Sequence, residues 1–366
     1  MVRAVPMDAG AEGFPHPFLR PPREGSVPLV APVELRHLLE SGEPPYLLDV
    51  RPALERRLAR IPSDHAVPLE SIETALPSFP RDRPIVAYDH LGFQARRAVE
   101  FLRQKGFERA AALEGGIEEY ARVADPEIPR YPVDDPTNRL YLRQLPRPES
   151  GCLAYFVGDL DERVGVIIDP GREVDPYKAV LADGGWRLSA IVETHTHADH
   201  LAGHAALHAF TAAPIFVSHR SPASYPHQRL AEGDAVPFGG EEITVLETPG
   251  HTLDHLTLRV REHIFTGDTL LLGSCGRTDL GGSPERLWES LTDKILALPP
   301  ETEVYPAHYG ARHALPERYV STVGFERASN EALRQGSREA FLAYMTEGWP
   351  PKPADFESIV RTNLAE

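Results

Sequence analysis

The chain has 366 residues, a net charge of -16 and a pI near 5.5, an acidity that argues against a general binder of nucleic acid or of anionic membranes. Two cysteines, Cys152 and Cys275, are too few for a disulfide framework and fit a reducing compartment. Residues 1–22 hold no unbroken apolar stretch of the signal-peptide kind and no run approaches a membrane span, so a cytoplasmic protein of about two domains is expected.

Residues 26–131 alternate helix-like and strand-like pieces. Residues 32–40 read as a helix with proline in its first turn, 46–50 and 84–88 as strands, 92–105 as a helix, 110–113 as a strand and 117–122 as a helix. Such alternation predicts an α/β domain with a parallel sheet, whose functional loops lie at the carboxyl ends of the strands. The segments Leu47-Leu48-Asp49-Val50-Arg51-Pro52, Ala59-Arg60-Ile61-Pro62, Arg83-Pro84-Ile85-Val86, and Gly106-Phe107 with Leu113-Glu114-Gly115-Gly116-Ile117 resemble a rhodanese domain across nearly all of this segment. In that family a cysteine after the strand 85–88 opens a loop of backbone N–H groups that holds a persulfide. Here the position is Asp89, in Asp89-His90-Leu91-Gly92-Phe93-Gln94, and no cysteine precedes Cys152. A carboxylate is a poor sulfur nucleophile and repels thiosulfate, so the domain is expected to lack sulfurtransferase activity.

Residues 125–147 are rich in proline and charge and read as a linker. Residues 152–159 and 163–169 then read as a hairpin. Asp175-Pro176 opens a helix with an aspartate cap, 188–192 reads as a buried strand, 201–210 as a helix and 215–219 as a strand. Directly after residues 188–192 comes Thr194-His195-Thr196-His197-Ala198-Asp199-His200, three imidazoles and a carboxylate gathered where a strand turns. This is a ligand set for a borderline metal such as zinc or ferrous iron. Further strand-like runs end at His251, Asp268 and His308, giving seven ligand-type residues: His195, His197, Asp199, His200, His251, Asp268 and His308. His219 also ends a strand and reads as structural.

The Thr-His-Thr-His-Ala-Asp-His loop, with Pro249-Gly250-His251-Thr252, Thr266-Gly267-Asp268-Thr269 and Tyr305-Pro306-Ala307-His308, resembles the metallo-β-lactamase superfamily over residues 138–311. The resemblance implies an αββα sandwich, two facing sheets with helices outside and a metal at one edge. Ser274-Cys275-Gly276-Arg277-Thr278-Asp279 is similar to the Cys-Gly-Arg-Thr-Asp segment of persulfide dioxygenases, and the residues after 287 and the helical tail from 323 fit that branch. The branch implies one Fe(II) per chain held by His195, His251 and Asp268, with His197, Asp199, His200 and His308 outside the ligand set. It also implies catalytic or substrate-handling roles for Asp199, His200, Arg277 and Tyr309, with Arg277 pairing a carboxylate of a low-molecular-weight thiol persulfide. Tyr309 follows His308 directly, whereas the family commonly has an Asp-Tyr pair there. The alternative is a glyoxalase II-like thioester hydrolase in which the same seven residues bind two metals, zinc among them.

The expected organisation is therefore an inactive rhodanese-like domain at 26–131 and a metallo-β-lactamase-fold, persulfide dioxygenase-like domain at 136–366. Its partners are expected to be a thiol persulfide and O2, with no nucleic acid, no membrane and a possible homo-oligomer. Cys275 reads as a small buried hydrophobe.

Overall fold

Three strands with almost no polar residue, β2 (Tyr46–Asp49), β4 (Ile85–Tyr88) and β5 (Ala110–Leu113), form the middle of the first sheet in the computed structural model of this chain. The structure describes residues 27–42, 44–56, 60–90, 92–124, 139–147, 150–310, 319–346, 349, 352 and 355–365. Short edge strands β1 (Leu29–Val30) and β3 (His65–Ala66) complete an all-parallel sheet in the order β1-β5-β4-β2-β3. Alternate residues feed two cores, as a sheet covered on both faces requires. Leu48, Val50, Ile85 and Ala87 pack with Ala95, Val99 and Leu102 of the helix Phe93–Gln104. Leu47, Val86, Tyr88 and Leu113 pack with Leu35, Ile117 and Tyr120 from the helices Pro32–Leu39 and Gly116–Val123. The Leu-Leu-Asp-Val-Arg segment also plants a charge pair in this sheet. Arg51, fully buried, donates from Nε and Nη2 to Asp49 at 2.9 and 2.8 Å, while Tyr88 Oη donates to the same carboxylate at 3.0 Å.

The chain divides into two compact units between residues 132 and 133. In the second, the strands β6 (Leu140–Arg147), β7 (Cys152–Asp159), β8 (Val164–Ile168), β9 (Arg187–Val192), β10 (Ile215–Ser218) and β11 (Gln228–Leu230) form one sheet in the order β11-β10-β9-β8-β7-β6. The other sheet runs in sequence order through β12 (Ala235–Phe238), β13 (Glu241–Glu247), β14 (Leu256–Val260), β15 (His263–Gly267), β16 (Glu303–Pro306) and β17 (Ser321–Thr322). Tyr155 of β7 meets Phe265 of β15 and Tyr305 of β16 at ring distances of 5.0 and 5.8 Å, joining the sheets face to face. On the far face of the first sheet lie Tyr177, Val180 and Leu207 from the helices Asp175–Gly184 and His204–Thr211. Beyond the second lie Leu287, Leu291 and Phe341. This is the αββα sandwich.

Three expectations on local structure need correction. Part of the expected linker is strand: β6 pairs antiparallel with β7 over its whole length, and Pro146 is tolerated because β6 is a sheet edge; residues 125–138 lie outside the described residues. Asp175 is the first helical residue, not the cap; the cap is Val174, with no side-chain bond to the helix. The helix expected from 201 begins at His204, because Ala202 N–H is taken by Asn363 Oδ1 at 2.9 Å and Gly203 N–H by Pro170 at 2.7 Å.

Strand direction then fixes where the ligand-type residues gather. β13 and β15 each pair antiparallel with β14, and β15 pairs parallel with β16, so the carboxyl ends of β13, β15 and β16 share one edge. His251, Asp268 and His308 follow those ends. The carboxyl end of β9 meets the same edge where Leu256 N–H donates to Thr194 at 2.7 Å.

Candidate metal centre

The imidazoles of His195 and His251 are held with bare nitrogens toward one carboxylate. Asp169, in the left-handed region at φ 52°, accepts Thr194 N–H at 2.7 Å and the Thr194 hydroxyl proton at 2.8 Å. The hydroxyl has no second proton, so its 2.9 Å contact with His195 Nδ1 requires that Nδ1 donate. His251 Nδ1 faces the carbonyl of Arg277 at 2.6 Å and must also donate. In the neutral rings Nε2 then carries the lone pair, and these atoms lie 3.9 and 3.3 Å from Asp268 Oδ2. All three residues are buried, and one ligand atom from each lies within 4.8 Å of the others. Two neutral imidazoles and a carboxylate, each fixed from behind, fit a divalent cation.

His308 closes the arrangement. Its Nδ1 donates to Asp268 Oδ1 at 2.6 Å and its Nε2 to Asp199 Oδ2 at 2.8 Å. Burial works against its charge, but Asp268, Cys152 and Asp199 overcome that and hold its pKa well above the ordinary value. The bridge orients Asp268 so that Oδ2 faces the histidines. Burial raises the Asp268 carboxyl, but His308 and His251 bring it below the usual carboxylate range. Asp199 Oδ1 accepts from His200 Nδ1 at 3.0 Å, and its Oδ2 also receives the Cys152 thiol at 3.1 Å. His197 sits 4.3 Å ring to ring from both His195 and His200, with Nε2 toward Glu193 at 2.9 Å and Asp169 at 3.3 Å. The structure thus brings all seven predicted residues into one connected cluster.

The side chains of the remaining candidates sit apart from that chain of contacts. Arg277 makes a two-pronged pair with Asp279 at 2.7 and 2.8 Å, and its guanidinium lies 6.0 Å from the Trp349 ring centre. Tyr309 is buried with its ring 4.6 Å from that of Tyr319. His219 bonds Glu247 at 2.7 Å, and Cys275 is buried beside Met345, where burial raises its thiol to about 12.

Besides Asp169, five contributors escaped the sequence reading. Glu193 receives His197 and His204 at 2.9 and 2.8 Å; burial raises its carboxyl, but these bonds and charges hold it at about 2. His255 stacks on His195 at 4.7 Å and accepts Asp268 N–H at 3.0 Å; burial and His251 lower its pKa to about 3. Cys152 begins β7 inside the cluster; burial raises the thiol, yet His308 brings it down to about 6. Asn363, in the helix Phe356–Ala365, donates to the carbonyls of His197 and His200 at 3.0 and 2.9 Å while accepting from Ala202. Arg147, at the end of β6, is the fifth. Glu193 and His255 stand beside motifs already singled out and were findable by that proximity. Asn363 carries no local signal.

A sandwich with this cluster at its edge defines a class of metal-site proteins, and the comparisons agree. The family model described as Metallo-beta-lactamase superfamily matches residues 147–308, and that described as Rhodanese-like domain matches 31–122. The chain belongs to the metallo-beta-lactamase superfamily, in its persulfide dioxygenase branch, with a rhodanese-like domain that lacks the cysteine. It is 36% identical over 227 residues to the mitochondrial persulfide dioxygenase ETHE1 of Bos taurus, covering 61% of this chain and 87% of that protein. It is also 37% identical over 223 residues to a hydroxyacylglutathione hydrolase of Cereibacter sphaeroides, covering 58% and 82% respectively. The crystal structure of ETHE1 from Myxococcus xanthus superposes with a TM-score of 0.58 at 35% identity, over 61% of this chain and 97% of that one. Among the described residues no helix is long and apolar enough to cross a membrane.

Proposed function

We propose that this protein is an iron-dependent dioxygenase that oxidises the persulfide of a low-molecular-weight thiol to sulfite and free thiol. The observation that carries this reading is the place of the Cys275-to-Asp279 segment. The Arg277 carbonyl receives His251 Nδ1–H, and Gly276 N–H donates to the Asp268 carbonyl at 2.8 Å. A Cβ built on Gly276 stands 2.2 Å from that carbonyl oxygen and 2.9 Å from His251 Nδ1, so only glycine allows the segment to lie this close. The segment that resembles the dioxygenase branch is therefore the outer wall of two of the three ligand residues.

In this reading His195, His251 and Asp268 hold one Fe(II), and such a facial set supplies binding of O2 and substrate at the positions it leaves open. The chain's own part is arrangement. Thr194 and Arg277 fix which nitrogen of each histidine is bare, and His308 fixes which carboxylate oxygen of Asp268 faces inward. Asp199 and His200 orient His308 and carry protons at the edge of the cluster. Arg277 opens from Asp279 to take a carboxylate of the thiol carrier, a charge-assisted pair at a rim where water is displaced. Tyr309 closes the side toward Tyr319. The first unit acts as a docking or structural domain, since Asp89 cannot carry sulfane sulfur.

The hydrolase reading is tested alongside it. Purified protein in an oxygen electrode is expected to consume O2 only when a persulfide is added, with sulfite appearing. Fast hydrolysis of a glutathione thioester without oxygen uptake would replace this reading by the hydrolase one.

A further inference from the structure

Arg147 belongs to the edge of the cluster and has no part in the proposed ligand set. Its Nε and Nη1 are buried and, among the described residues, have no hydrogen-bond partner. A buried guanidinium N–H without an acceptor gives up its water without a replacement bond, so such a group in a native fold calls for an explanation.

Its position supplies one. Arg147 stands directly opposite Cys152 in the β6–β7 pair, so the two side chains leave the same face of the sheet. Cys152 lies within the cluster, its sulfur 3.5 Å from His308 Nε2, and Tyr177, Cys152, Asp199 and Asp169 are near enough to act on the arginine's charge. Neither carboxylate is an acceptor for it. Asp169 is committed to Thr194, and Asp199 to His308, His200 and Cys152. The nearby negative charge makes the buried cation tolerable while leaving its N–H directions unfilled. The chain also makes room for the group: a Cβ built on Gly171 stands 2.0 Å from Arg147 Nη1, so any other residue there would displace the guanidinium.

We infer that Arg147 is an anion-binding residue of the site, taking an anionic sulfur group: the terminal sulfur of the persulfide as it enters, or the sulfite oxygens formed from it. This rests on the persulfide reading for the identity of the anion, though not for the existence of the subsite. It differs in place and task from Arg277, whose guanidinium is already paired and which would meet the carrier thiol rather than the reacting sulfur.

Calorimetric titration of the anaerobic, metal-loaded full chain with sodium sulfite tests the inference without turnover. Arg147→Met, which keeps the apolar stem, is expected to bind sulfite at least about tenfold more weakly, and Arg147→Lys to fall between. Metal content and Tm should match the unsubstituted protein. Oxygen uptake separates the two sources: a raised persulfide KM with kcat less affected assigns the entering sulfur, and a raised sulfite inhibition constant assigns the product. If Arg147→Met does not fold, Arg147→Lys answers the same question, because one ammonium cannot replace two fixed N–H groups. Sulfite affinity and persulfide KM unchanged in the soluble variant would overturn the inference. If the unsubstituted protein oxidises no persulfide while Arg147 still governs sulfite affinity, the functional reading fails and the anion subsite stands.

Discussion

Two loops that follow buried strands, one in each unit, receive anionic oxygens in opposite ways. After β4, Asp89 turns its carboxylate back into its own loop. Oδ1 accepts Gly92 N–H at 2.7 Å, Oδ2 accepts Gln94 N–H at 3.0 Å, and the backbone of Ala95 contributes a further bond. After β9, the carboxylates face one another only through histidines, and ligand atoms are left with bare lone pairs. The first loop turns its carboxylate onto its own N–H groups, and a carboxylate is a poor nucleophile toward sulfur. The second leaves His195 Nε2 and His251 Nε2 facing Asp268 Oδ2, where they fit a metal. An inherited loop geometry therefore says little about chemistry until the side chain at its centre is known.

The largest effect expected from breaking this contrast comes from Asp268→Ala. Removing the carboxylate that faces His195 and His251 leaves a two-histidine remnant, and bound metal should fall to background with persulfide oxidation lost. Elemental analysis after gel filtration checks it; full metal retention would remove Asp268 from the ligand set. Next comes Asn363→Ala. Loss of the clamp on the His197 and His200 carbonyls should weaken metal affinity by about 10–100-fold, the range for second-layer contacts, while lowering overall stability by only about 1–3 kcal/mol. Competition against a chelator reads the first number and thermal unfolding the second. A large fall in Tm with unchanged affinity would make Asn363 a fold residue alone.

On the other loop, the unsubstituted chain should show no thiosulfate:cyanide sulfurtransferase activity, and Asp89→Cys should place a thiol among the vacated N–H groups. Turnover by the unsubstituted chain would show that another group carries sulfur. A smaller effect is expected in acid. The Glu193 carboxyl is held below its ordinary 4.5 at about 2, so its contribution to stability is complete above that ordinary value and is lost as pH falls through the lower one. Metal-free protein with Glu193→Gln should accordingly show a flatter loss of stability between those pH values, with a difference of about 3 kcal/mol at neutrality as an upper figure.

Much of this was legible in the sequence because it depends on local pattern. Apolar runs gave β4, β5, β9 and β10, and ligand-type residues at strand ends gave all seven members of the cluster. What escaped depends on pairing between distant segments. β6 looks like linker because of Pro146 and its charges, and becomes a strand only through β7. The delayed start of the helix at His204 depends on Asn363, more than 150 residues away in sequence. Arg147 carries no motif, and its unfilled N–H groups are visible only when its neighbours are in place. Arg277 shows the reverse: its motif is plain in the sequence, but its two-pronged pairing with Asp279 is visible only in the fold.

The most direct test is to measure metal and turnover on the same anaerobically purified sample. About one iron per chain, with O2 consumed and sulfite formed in equal amounts only when persulfide is present, is the predicted result. Two tightly held zinc ions per chain, with no oxygen uptake and rapid thioester hydrolysis, would contradict it.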